Sequence, residues 1–170
     1  KQTSEVLKSI KCSDFDRIIS QPYVFVPLQV SDDTQLLFNS DFNNLQLLRS
    51  VLKNDEYKKL TIVVKFHPGD SRDEISKVYA EISGNPRVLI SQEPVVQLIQ
   101  NADRIITINS TVGLQALLLD KPVQFLGRSI FATMTHWTAH QFVQFHLRNI
   151  DYFGTDCITK EQINEILFLD

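Results

Sequence analysis

The stretch that most constrains this chain is 61–70, TIVVKFHPGD. A short continuous apolar run of this kind reads as a strand buried on both faces of a parallel sheet, and Pro68-Gly69 then turns the chain sharply. Such a strand needs parallel neighbours and covering helices. Four further short runs have the same character: 23–27 (YVFVP), 87–90 (RVLI), 104–108 (RIITI) and 123–126 (VQFL).

Helices are expected between them. The Ser/Asp/Thr cluster at 31–34 is helix N-cap chemistry, and Leu36, Leu37, Leu45, Leu47, Leu48, Val51 and Leu52 supply an apolar stripe, broken by polar residues 39–44, that predicts a loop and then a helix ending near Asn54. Ser71 followed by Glu74 is a capping box, predicting a helix over 73–82 that the Ser-Gly-Asn-Pro at 83–86 ends. Pro94 suits the first position of a helix over 95–100, and another helix is expected over 114–119. Residues 129–170 are less regular, with Phe142 and Phe145 at helical spacing and a last helix expected over 158–169. Strands alternating with helices predict an α/β fold, a mainly parallel sheet with helices on both faces joined by right-handed crossovers. Residues 1–20 read as a linker or lead-in helix and 21–170 as the domain itself.

Charge and composition exclude several functions. The formal net charge is −3 with both signs mixed along the chain, which argues against a nucleic-acid-binding surface. No apolar run is long enough to span a membrane, and no signal peptide is evident. Cys12 and Cys157 fit neither a metal spacing nor a disulfide framework, and read as reduced thiols of a cytosolic protein. His136 and His140 are four apart, but Trp137 stands where a zinc-protease helix needs Glu, so no metal is expected. No cofactor is expected either. The chain begins at Lys1 rather than Met, which reads as a fragment lacking an upstream domain.

Chemistry concentrates where the strands end, because open α/β sheets bind ligands outside the carboxyl ends of their strands. His67 follows the 61–66 strand. It either donates to a phosphate or ribose oxygen, acting catalytically on the leaving group, or simply caps the strand. Pro68 fixes the backbone beside it, and Gly69 permits close approach. Asn109, Ser110, Thr111 and Gly113 lie between a strand and a helix start, where backbone N–H groups and the helix dipole favour an anion; plain N-capping is the competing reading. Both features open on one sheet edge, so a phosphate between them is geometrically sensible. Gln29, Asp32 and Asp33 follow the first strand, Gln92 and Glu93 the third, and Arg128 the fifth. Each can serve a sugar, a nucleoside or a phosphate, and each can equally be a polar capping or surface group.

These residues carry a resemblance. The segments VFVPLQV with Asp32-Asp33, KFHP at 65–68, TINSTVGLQAL at 107–117, KPV at 121–123 and LGR at 126–128 resemble, over residues 23–134, the bacterial capsule polysaccharide biosynthesis family, which contains Kdo transferases. Phe66 departs from that family's commonest motif, where Pro precedes the histidine. The resemblance implies the C-terminal, nucleotide-binding half of a two-domain GT-B glycosyltransferase with a Rossmann-like sheet. It implies a CMP-sugar donor, CMP-Kdo, and a glycolipid or polysaccharide acceptor. It places His67, Ser110 and Thr111 at the CMP phosphate and Gln92 or Glu93 at the nucleoside. A cytoplasmic location at the inner face of the inner membrane, with peripheral association through a complex, follows from it. The alternatives are a non-catalytic nucleotide- or sugar-binding module of a capsule assembly complex, and a CMP-sialic-acid or UDP-sugar enzyme of similar shape.

Overall fold

A computed structural model describes residues 2–147 of the chain. Five strands form one sheet: β1 (Tyr23–Pro27), β2 (Thr61–Lys65), β3 (Val88–Ile90), β4 (Arg104–Thr107) and β5 (Val123–Phe125). Every pairing is parallel and the spatial order is β3-β2-β1-β4-β5. The order reverses between β1 and β4, which creates a crevice at their carboxyl ends. The Rossmann-like parallel sheet read from the sequence is therefore present, and strand boundaries differ from those expected by no more than a residue at an end.

Eight helices accompany the sheet among the described residues: α1 (Gln2–Ser9), α2 (Phe15–Ile19), α3 (Thr34–Asn39), α4 (Asn44–Lys53), α5 (Arg72–Ile82), α6 (Val95–Asn101), α7 (Thr111–Leu118) and α8 (His136–His146). Alternation along the strands divides the core in two. Val24, Val26, Ile62, Val64 and Ile106 face a layer built by Leu36 of α3, Leu47, Leu48 and Val51 of α4, and Ile75, Val78 and Ile82 of α5. Tyr23, Phe25, Val63, Leu89 and Ile105 face Ile18 of α2, Leu98 and Ile99 of α6, and Ala116 of α7. Ile62, Val63 and Val64 are all fully buried, as a doubly covered strand requires, and each contributes about 1.5–3 kcal/mol of apolar transfer.

The chain divides into two compact units, Lys1–Ala139 and His140–Asp170. The sheet, its core and the strand-end loops belong to the first. Residues 140–147 are the described part of the second.

Two local departures from the expected elements bear on the strand-end loops. The segment expected as loop before α4 contains α3, six residues capped by the Asp33 carboxylate, which accepts from the Gln35 N–H. α7 begins at Thr111 rather than 114, so Gly113 lies inside the helix. Trp137 and Phe145, which the sequence marks as core or interface residues, are exposed. The helix expected over 158–169, with Cys157, falls outside the described residues.

Candidate functional site

The loop after β1 is fixed from two sides. Gln29 is buried and reaches across the switch point to Asn109: its Nε2 donates to Asn109 Oδ1 (2.8 Å), and its Oε1 accepts from the Asn109 N–H (3.0 Å). Asn109 Nδ2 in turn donates to the Gln35 carbonyl of α3 (2.8 Å). From the other side Asn44, at the start of α4, accepts the Gln29 N–H through Oδ1 (3.2 Å) and donates to the Gln29 carbonyl through Nδ2 (2.7 Å). Buried amides satisfied in this way rigidify what they join.

The turn after β2 is built around His67. The Asp70 N–H donates to the His67 carbonyl (3.2 Å), with Pro68 and Gly69 as the two central residues. The Gly69 N–H donates to His67 Nδ1 (3.0 Å). Nδ1 therefore carries no proton in the neutral ring, and Nε2–H is the donor. His67 is exposed. A Cβ on residue 69 would stand 3.2 Å from Nδ1 and 3.3 Å from Cε1, so glycine makes room for the ring itself.

At the end of β4, Ser110 caps α7, its hydroxyl accepting the Val112 N–H at 3.1 Å. Thr111 is exposed at the first helical position. Gly113 has a packing job: a Cβ there would lie 2.3 Å from the Phe125 ring of β5. The helix start is thereby seated closely on the sheet edge.

Gln92 and Glu93 follow β3. Lys65, the last residue of β2, donates to both of their carbonyls at 2.9 Å. Burial pulls the Lys65 ammonium below its usual pKa, against the opposing effects of Cys12 and Glu93. The Gln92 side chain donates to the Leu7 carbonyl of α1 (2.6 Å), so it is engaged within the fold. After β5, the Arg128 guanidinium donates to the Phe38 carbonyl of α3 (3.1 Å) and lies 3.5 Å from the Asp41 carboxylate.

Two recesses open on this edge. One, of about 670 Å³, lies beside the switch point and is lined by Gln35, Asn39, Asn109, Thr111, Arg128 and Phe131 among others. That volume is in the range of small-ligand sites, about 300–1,000 Å³. It combines a cation, a hydroxyl at a helix start and apolar walls. The other, of about 410 Å³, is lined by Ser31, Asp32, Asn43, Asp70, Ser71 and Glu74. His67 is not among the described lining residues of either. The structure thus gathers Asn109, Thr111 and Arg128 in one recess, keeps Gln29 beneath it, and holds His67 and Glu93 at neighbouring strand ends. Asp70, which the sequence reading passed over, is the buried acid of this edge. Its signal was its place directly before the Ser71 cap. Among the described residues no group of three or more His, Cys, Asp or Glu side chains is placed to hold a metal ion, and no helix is long and apolar enough to cross a membrane.

Residues 7–144 match the family of capsule polysaccharide biosynthesis proteins. The chain belongs to that family. It is 28% identical over 167 residues to the capsule polysaccharide export protein KpsS of Escherichia coli, covering 88% of this chain and 43% of that protein. It is 34% identical over 113 residues to protein FixF of Sinorhizobium fredii, covering 64% and 27%. Among solved structures it is similar to the β-Kdo 2,7 transferase of Thermosulfurimonas dismutans KpsC, with 26% identity, a TM-score of 0.55, and 79% of this chain set on 45% of that one. The β-Kdo 2,4 transferase of the same KpsC shares the fold at 22% identity and a TM-score of 0.53, over 79% of this chain and 47% of that one. The chain spans less than half the length of each of these relatives.

Proposed function

We propose that this chain is the donor-nucleotide half of a glycosyltransferase, of the GT-B type, that transfers Kdo from CMP-Kdo in capsule polysaccharide biosynthesis. The observation that carries the reading is the likeness to the KpsC β-Kdo 2,7 transferase, combined with where His67 and the α7 start stand. β2 and β4 flank β1, and parallel strands are spaced by about 4.8 Å, so the two strand ends lie roughly 10 Å apart. A nucleoside monophosphate can bridge that distance. His67 donates from Nε2 to a phosphate oxygen, and Ser110 and Thr111 hold the phosphate at the positive end of α7. Glu93, after β3, faces the nucleoside. An acceptor hydroxyl, on a glycolipid or polysaccharide, attacks the anomeric carbon of the sugar. The bond to the phosphate oxygen breaks and CMP leaves, its growing charge stabilised by these donors.

The test is calorimetry with CMP and with UDP, followed by transfer assays on the full-length protein. Tighter binding of CMP than of UDP, together with sugar transfer, supports the reading; no CMP binding overturns it. Because one relative is described as an export protein, a second reading is a non-catalytic nucleotide- or sugar-binding module of a capsule assembly complex. CMP binding without transfer by the full-length protein would favour that module.

A further inference from the structure

Asp70 is 4% exposed, although it lies in a surface turn. Acids are rarely buried so deeply unless their oxygens are occupied. Here three donors converge on one carboxylate. Oδ1 accepts the Ser31 N–H (3.1 Å) and the Ser71 N–H (2.9 Å), and Oδ2 accepts the Ser31 hydroxyl (3.0 Å). Capping α5 is not its task, because the Ser71 hydroxyl already accepts the Glu74 N–H at 3.2 Å. Asp70 instead joins two loops whose residues lie 39 apart in sequence. On one side is the turn that carries His67, whose carbonyl accepts the Asp70 N–H. On the other is the loop that carries Asp32 and leads from Gln29. Asn44 closes the assembly by donating to Ser31 Oγ (3.3 Å) as well as to the Gln29 carbonyl.

We infer that Asp70 is a positioning residue. It sets the separation between the turn that carries the His67 donor and the loop bearing Asp32, and so registers these two strand-end loops for a shared ligand. The inference rests on the transferase reading for its consequence, but the tie itself does not. What matters is the geometry of the acceptors rather than the charge. Asparagine reproduces it: Oδ1 can accept both backbone N–H groups, and Nδ2 can donate to the Ser31 hydroxyl oxygen.

Three variants of the full-length protein test it. Asp70→Ala is expected to lose hydrogen-exchange protection at the Ser31 amide. Its donor kcat/KM should fall by about 100-fold, the cost of roughly an ångström of misplacement. Asp70→Asn is expected to restore both. A folded alanine variant with parental Ser31 protection and kcat/KM overturns the inference, as does an asparagine variant as impaired as alanine. Should Asp70→Ala fail to fold, Ser31→Ala removes the hydroxyl's bonds to Asp70 and Asn44 while keeping the Ser31 N–H bond to Asp70: a lowered donor kcat/KM supports the inference, and a parental value overturns it. Absence of transfer by the parent would count against the transferase reading, and the Ser31 exchange rates of the alanine and asparagine variants would still decide the tie.

Discussion

Gln29 and Asn109, 80 residues apart in sequence, exchange two hydrogen bonds across the point where the strand order reverses. Neither amide is a loose polar group waiting at the crevice; each completes the other. Asn109 extends the link to α3. The floor of the larger recess is therefore a closed amide network, and Thr111 and Arg128 provide its polar walls.

Breaking that network leaves buried groups without partners. Asn109→Ala should lower unfolding free energy by about 1–3 kcal/mol for each group stranded, read from urea denaturation. Gln29→Ala should cost a similar amount. The double variant should be less destabilised than the two singles combined, with a coupling of about 0.5–3 kcal/mol. Strict additivity would show that the pair does not act as a unit.

Gly113→Ala places a methyl group inside the Phe125 ring contact. Overpacking of this kind typically costs about 1–3 kcal/mol, and thermal melting should show it. A second change, Phe125→Leu, should recover part of the loss. Equal melting of the parent and Gly113→Ala proteins would mean that α7 shifts freely on the sheet.

His67→Ala should weaken CMP binding without lowering thermal stability appreciably, since the ring is exposed. A hydrogen bond to a charged group contributes about 1.5–3 kcal/mol, or roughly 10- to 150-fold in affinity. Isothermal titration measures it, and unchanged CMP affinity would remove His67 from the phosphate site.

Tyr23 supplies a test of the core. It is fully buried beneath α6, and its hydroxyl donates to the Leu98 carbonyl at 2.7 Å. Burial, with a smaller contribution from Asp103, pushes its pKa up to about 12, against about 10 in an unfolded chain. Since the folded form holds this proton more tightly, the associated stability is fully present below about pH 10 and is lost as pH rises towards 12. Ultraviolet titration should find one tyrosine ionising late or only on unfolding. Tyr23→Phe should abolish that late component; its persistence would assign it to another residue.

Most of the scaffold was legible in the residues. β1 is fully buried because YVFVP carries no charge and its one hydroxyl, on Tyr23, finds the Leu98 carbonyl inside; short apolar runs also located the other strands. Ser71 announced α5, its hydroxyl accepting the Glu74 N–H, but the other half of the expected capping box is absent because the Ser71 N–H donates to Asp70 Oδ1 instead. α3 showed only its cap and the start of a stripe, because it has six residues and buries Leu36 while Leu37 and Phe38 stay exposed. The candidate edge was legible as a place, since every strand ended in polar or turn residues. Its internal wiring was not. That Gln29 pairs with Asn109, that Asp70 binds Ser31, and that Gly113 fits against Phe125 depend on which strands become neighbours. Periodicity along a single strand carries none of that information.

The all-parallel order also dictates when the crevice can exist. During synthesis at about 5–20 residues per second, Gln29 is made roughly 4–16 s before Asn109. Through that interval β1 can pair with β2 and β2 with β3, but the β4 side of β1 is unfilled. Asn44 arrives early, only 15 residues after Gln29, and occupies the Gln29 backbone on both its N–H and its carbonyl. The β1 loop is thus shaped by a near neighbour first and locked by a distant one last. The switch-point amide pair can therefore form only once Asn109 is made, and the recess beside it is completed later still, when Arg128 and Phe131 follow.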